Sequence, residues 1–122
     1  MSYKLFISQP MRDKSNEQIE EERTRAISIA TQLIKQKFGE EAEVEVIDSF
    51  FKDAPHDAKP LWFLGESFKL LSTADVVFFV NGYDKYRGCL MESKAVKEYL
   101  LKKGVIAIHE KNGEIRISGT LK

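Results

Sequence analysis

The chain predicts a three-layer α/β fold, with a doubly wound, mostly parallel sheet of four or five strands and a possible antiparallel edge strand at the C-terminus. Three observations carry this. Short apolar runs alternate with longer segments whose apolar residues recur at helical spacing. One run, Asp75-Val76-Val77-Phe78-Phe79-Val80, is apolar throughout after its first residue, the pattern of a strand covered on both faces. The length of 122 residues suffices for one domain core, with little room for a second.

Lys4 to Ser8, containing Leu5, Phe6 and Ile7, reads as a buried first strand. Pro10 disfavours continuing either ladder or helix, so Gln9 to Lys14 reads as a loop. Ser15 with Gln18 three residues on has the pattern of a capping box. The helix that follows extends to about Phe38, with Ile19, Ala26, Ile27, Ala30, Leu33 and Ile34 as its inner stripe and Gly39 as its stop. Val44, Val46 and Ile47 predict a second strand, Phe50 to Pro60 a looser segment, and Leu61 to Thr73 a second helix. After the third strand, Asn81 to Gly88 is a polar loop, Cys89 to Lys103 a helix closed by Gly104, and Val105 to Ile108 a fourth strand. Lys111-Asn112-Gly113-Glu114 is a hairpin signal that returns Ile115 to Ser118 antiparallel. The β-α-β-α-β-α-β order is that of flavodoxin-like and Rossmann-like folds. In such sheets ligands sit beyond the carboxyl ends of the strands, which selects the loops after strands one and three.

Apolar residues make up 43% of the chain, charged residues 31%, and the 19 basic side chains equal the 19 acidic ones. That balance argues against a broad electrostatic grip on polymeric nucleic acid or anionic lipid. A single cysteine, Cys89, excludes an intrachain disulfide and points to a reducing, cytoplasmic setting. The opening Met1-Ser2-Tyr3-Lys4 does not build a signal peptide, and no apolar stretch reaches the ~20 residues of a membrane span. With only His56 and His109, far apart in sequence, no structural zinc site is expected.

The first loop, Ser8-Gln9-Pro10-Met11-Arg12-Asp13-Lys14-Ser15, offers hydroxyls, an amide, a guanidinium and a helix N-terminus, groups that suit a phosphate or another anion. The plainer reading is a capped turn with Arg12 solvated. The loop lacks the glycines of a P-loop or dinucleotide fingerprint. The second loop contains Gly82, Tyr83, Asp84 and Arg87, and Gly88 permits a tight turn into the helix. Glu92 then falls in that helix's first turn, where unpaired N–H groups and the dipole favour a carboxylate; acidic residues are common there for that reason alone. Glu66-Ser67 forms a third feature, on the second helix. Asp75 fixes the start of strand three, and Cys89 reads as packing, since no histidine partner lies nearby in sequence.

Together these segments resemble a known arrangement. Phe6-Ile7-Ser8-Gln9-Pro10-Met11-Arg12 is similar to the first strand and loop of the nucleoside 2-deoxyribosyltransferase superfamily, Ala74-Asp75-Val76-Val77-Phe78-Phe79 to its third strand, and Gly88-Cys89-Leu90-Met91-Glu92 to its Gly-x-x-Met-Glu segment. The similarity runs in order to about Ile108. It is nearest to a short, phage- or prophage-associated branch and to the deoxynucleoside 5-monophosphate N-glycosidases. The resemblance implies cleavage or transfer at the N-glycosidic bond of a 2-deoxyribonucleoside or its 5-monophosphate, with Glu92 as nucleophile and no metal or cofactor. It makes Asp84 or Glu66 the acid and gives Ser8 and Arg12 the sugar or phosphate. It also places Gln9, Pro10, Met11, Ser67, Gly82, Tyr83, Arg87, Gly88 and Met91 around the substrate.

Three departures favour hydrolysis or binding over transfer. Asp84 stands farther from Glu92 than the family's acid does. Ser67 occupies the position of a family Asp. The chain ends without the tail that transferases extend into a neighbouring subunit. The competing readings are a nucleotide-binding protein without catalysis and a small structural or regulatory partner. Trp62, Phe63 and Phe68, with Phe50-Phe51 upstream, exceed what one small core absorbs and predict a homo-oligomer, at least a dimer.

Overall fold

In the computed structural model, which describes residues 1–49 and 54–119, the chain forms one five-stranded sheet in the order β2-β1-β3-β4-β5. The elements in chain order are β1 (Ser2–Ser8), α1 (Asn16–Phe38), β2 (Glu43–Val46), α2 (Pro60–Leu71), β3 (Val76–Phe79), α3 (Arg87–Ala95), β4 (Ile106–Lys111) and β5 (Glu114–Ser118). β1 pairs parallel with β2 and β3, β3 parallel with β4, and β4 antiparallel with β5. The α/β fold and the antiparallel edge are those the sequence predicts. Phe50 and Phe51 lie outside the described residues.

The period-2 alternation of each strand sorts its side chains between the two helical layers. Leu5, Ile7, Val76, Phe78, Ile106 and Ile108 face α1, whose Ala26, Ala30 and Ile34 are buried against them. Phe6, Val77, Phe79 and Ala107 face the other way, into a second core with Leu71 and Val96 from the α2 and α3 side. All four residues of β3 are fully buried, and burial of such side chains is worth about 1.5–3 kcal/mol each. That explains why β3 is the clearest run in the sequence.

Local signals set most element ends. Ser15 Oγ accepts from the N–H of Gln18 at 3.1 Å, and Gln18 Oε1 accepts from the N–H of Ser15 at 2.9 Å, completing the capping box. Gly39, at φ 106°, stops α1 by donating to Lys35 O at 2.8 Å. Asp75 Oδ2 accepts from the N–H of Lys4 at 2.9 Å and so pins the start of β3 against β1. Asn112 and Gly113, with φ of 52° and 83°, form the two-residue turn between β4 and β5.

Two boundaries differ from expectation in ways that matter for the site. α2 ends at Leu71, because the Ser72 and Thr73 hydroxyls bond back to the carbonyls of Lys69 and Leu70. α3 begins at Arg87, so Gly88 lies inside the helix with ordinary backbone angles. The left-handed residue of this loop is Gly82, at φ 93°, which precedes a single 3₁₀ turn over Tyr83–Lys85. Beyond Ala95, α3 continues through a wider turn over Val96–Leu100 and a tighter one over Leu101–Lys103.

Candidate functional site

The chain leaves β1 toward one side of the sheet to build β2 and returns across it to build β3. The strand order therefore reverses between β1 and β3, where their carboxyl ends leave a crevice. Ser8, the last residue of β1, shares the face of Phe6 and so points toward α3. There its Oγ donates to Glu92 Oε1 at 2.8 Å, a buried bond between residues 84 apart in sequence.

With α3 starting at Arg87, Glu92 sits in the second turn rather than the first, beyond the unpaired N–H groups that the sequence reading invokes. Its environment is the reverse of a helix N-terminus. The side chain is 7% exposed. Burial pushes its carboxyl up to about 7, against the opposing effect of the Ser8 hydrogen bond. Cys89, one turn earlier, is also buried, and burial raises its thiol to about 11 despite a hydrogen bond with Ser8.

Above Glu92 lies an open cleft of about 330 Å³ walled by three segments. Gln9, Pro10, Met11 and Arg12 come from the loop after β1. Pro60, Phe63, Leu64 and Ser67 come from α2, and Tyr86, Gly88, Cys89 and Glu92 from the start of α3. A neighbouring cavity of about 350 Å³ shares Pro60, Leu64 and Gly88 and adds Arg87 and Met91. A Cβ built on Gly88 meets nothing within 4 Å, so the missing side chain leaves space in the cleft rather than making a turn. The Tyr86 hydroxyl donates to Arg12 O at 3.3 Å and links two of the walls.

Five expected site residues stand elsewhere or turn away. Asp84 forms an ion pair with Lys111 at 2.9 Å, which holds its carboxyl below the usual range, and it does not line the cleft. Glu66 pairs with Lys69 one turn along α2 at 3.0 Å. Tyr83 packs on Phe79 and His109 in the second core layer. Gly82 makes the backbone turn, with Pro10 Cγ 4.0 Å from its would-be Cβ. Gln9 lies in the cleft wall, but its Nε2 donates to Ile19 O at 2.7 Å, toward α1.

Pro60, Leu64 and Tyr86 also line the cleft, as do Phe63, expected at a subunit contact, and Cys89, expected as packing. The α2 group carries a readable signal: positions 60, 63, 64 and 67 fall on one helical face, so counting back from Ser67 by three, four and seven finds the others. Among the described residues, Glu92 is the only acidic side chain lining the cleft.

A second polar cluster holds the loop after β3 in place. Arg25 on α1 grips Glu110 on β4 with two bonds of 2.8 Å, and Glu110 also accepts from the N–H of Asn81 at 3.0 Å. Burial alone raises the Glu110 carboxyl, but the bonds from Arg25 and Asn81 outweigh it and hold it low. Asn81 Oδ1 accepts from the N–H of Asn112 at 2.9 Å, tying the loop to the hairpin turn. No helix among the described residues is long and apolar enough to cross a membrane. Comparison of the chain with protein-family models, with curated proteins and with solved structures finds no match.

Proposed function

We propose that the chain cleaves the N-glycosidic bond of a 2-deoxyribonucleoside or its 5-monophosphate, with Glu92 as the nucleophile. The observation that carries this reading is the buried Ser8–Glu92 bond of 2.8 Å at the floor of a cleft at the strand-order reversal. The resemblance of Gly88-Cys89-Leu90-Met91-Glu92 to the Gly-x-x-Met-Glu segment of the nucleoside 2-deoxyribosyltransferase superfamily supplies the chemistry.

In its ionised form Glu92 forms an ester bond to the anomeric carbon as the carbon–nitrogen bond breaks and its electron pair leaves with the base. Water then attacks the anomeric carbon, delivers its hydroxyl to the sugar and releases the carboxylate. The Ser8 hydroxyl orients the attacking carboxylate, and Arg12 takes the 5-phosphate with paired, charge-assisted bonds. Asp84 and Glu66 are each held by a lysine, so the departing base takes its proton from water admitted by the open cleft. Hydrolysis is therefore favoured over transfer between bases. Leu61, Phe63 and Met91 are exposed around this mouth. A second copy packed on this apolar rim buries it while leaving the cleft open to water, so the working unit on this reading is a homo-oligomer in the cytoplasm serving nucleotide metabolism.

A non-catalytic nucleotide-binding role is the second reading. It is favoured by the lack of any second carboxylate among the described residues of the cleft wall. Incubation with a panel of deoxynucleosides and their 5-monophosphates, with free base followed by chromatography, separates the two. Base release that disappears in Glu92→Gln supports the glycosidase. A ligand-induced thermal shift without release supports the binder.

A further inference from the structure

We infer that the outer edge of β5 is a self-association surface that pairs antiparallel with β5 of a second copy, Ile115 opposite Ile115. β5 is an end strand of the sheet, and all its residues but Ser118 are exposed. Across the two-residue turn, Lys111 and Glu114 are the flanking pair and exchange both ladder bonds. By alternation Glu114, Arg116 and Ser118 direct their backbone groups to β4. Those of Ile115 and Ile117 point outward with no strand among the described residues to receive them.

Side chains select the register. A two-fold axis through Ile115 sets the two Ile115 backbones in a mutually hydrogen-bonded pair. It places Glu114 of each copy directly opposite Arg116 of the other, twice, in the non-hydrogen-bonded positions where side chains lie closest, with Cβ atoms about 4.5–5.5 Å apart. Each Arg116 then stands between its own Glu114, 3.6 Å away, and that of the second copy. The neighbouring register, centred on Arg116, sets the two guanidiniums against each other. On the opposite face Ile115, 38% exposed, meets its counterpart, and Ile117, 50% exposed and opposite Gly113 of the second copy, stands diagonal to that copy's Ile115. Ile117 also borders an apolar cavity of about 230 Å³ with Leu33, Phe38, Ile106 and Ile108, so the pairing extends an existing apolar strip.

The other end strand excludes the same arrangement. β2 reads Glu43-Val44-Glu45-Val46 with both glutamates exposed. Antiparallel self-pairing centred on Val44 or Glu45 sets glutamate against glutamate, which is destabilising. The sheet thus has one edge blocked by like charge and one that is self-complementary.

The test is the molar mass by light scattering coupled to gel filtration at micromolar concentration, with circular dichroism to verify folding. Arg116→Glu replaces both cross-pairs by like charges and is expected to halve the wild-type mass. The charge-swapped Glu114→Arg/Arg116→Glu protein is expected to recover it. A wild-type mass equal to one 14.0 kDa chain, an unchanged mass in Arg116→Glu, or a folded swap variant that stays at half mass each overturns the proposal. Base release plays no part in this readout, and both variants leave the Leu61, Phe63 and Met91 rim untouched, so a change of mass in Arg116→Glu reports on the β5 edge alone.

Discussion

Ser8 and Glu92 form a unit in which one hydroxyl opposes a strong desolvation effect. Burial raises Glu92 to about 7, and the Ser8 hydrogen bond keeps it from rising further. A nucleophilic carboxylate acts only when ionised, so base release should increase with pH through a limb near 7 and level off above it. Ser8→Ala removes the stabilising donor and should move that limb to higher pH while lowering activity at pH 7. A pH–rate profile of both proteins checks this; coincident limbs would detach Ser8 from Glu92. Arg12, exposed in the cleft wall, faces a different test. Charge-assisted bonds are worth about 1.5–3 kcal/mol each, so Arg12→Ala should weaken monophosphate binding by roughly ten-fold or more and leave nucleoside binding nearly unchanged. Equal losses for both ligands, measured by calorimetry, would mean that Arg12 does not read the phosphate.

The elements are cross-linked by a few polar contacts of unequal weight. Arg25 reaches from α1 to Glu110 on β4, which in turn holds the loop after β3 through Asn81. Glu110 is 7% exposed, so removing its partner strands a buried charge. The Arg25 side chain is 46% exposed, and solvent softens the penalty. Arg25→Ala should therefore cost about 2 kcal/mol in urea-unfolding stability. Lys69→Ala breaks a surface pair whose lysine is 76% exposed and should change stability by less than about 0.5 kcal/mol. Equal costs would show that the Glu110 cluster does not hold these elements together.

For the whole molecule, the raised carboxyl of Glu92 couples folding to pH. The unfolded group has a pKa near 4.5 and the folded one about 7. Below pH 4.5 both states are protonated and the stabilisation from the neutral, buried carboxyl is fully present. As pH rises toward 7 the unfolded chain loses its proton first, and the stabilisation is progressively lost. Glu92→Gln carries no such proton. It should gain stability relative to wild type across this window, by an amount on the order of 3 kcal/mol above pH 8. Denaturant unfolding at pH 4, 6 and 8 measures it. A difference that does not grow with pH would place Glu92 in a solvated setting.

What the sequence determined by itself is whatever rests on neighbouring residues. The β3 run, the Ser15–Gln18 capping box, the Gly39 stop and the Asn112-Gly113 turn are each set within a few positions, and each is read directly as periodicity or turn chemistry. The loops at the strand ends follow from element order, because a doubly wound sheet must reverse somewhere. The state of Glu92 does not follow. A start of α3 two residues earlier takes it away from the helix N-terminus, and Ser8, distant in sequence, sets its hydrogen bonding. Nor does the separation of Asp84 from the cleft, since the lysine that binds it belongs to β4. Burial and long-range charge pairing depend on which strands become neighbours. That is why the tertiary structure alone decided which carboxylate lies buried in the cleft and that Asp84 is held by a lysine, whereas the Glu66–Lys69 pair, one turn apart on α2, is local.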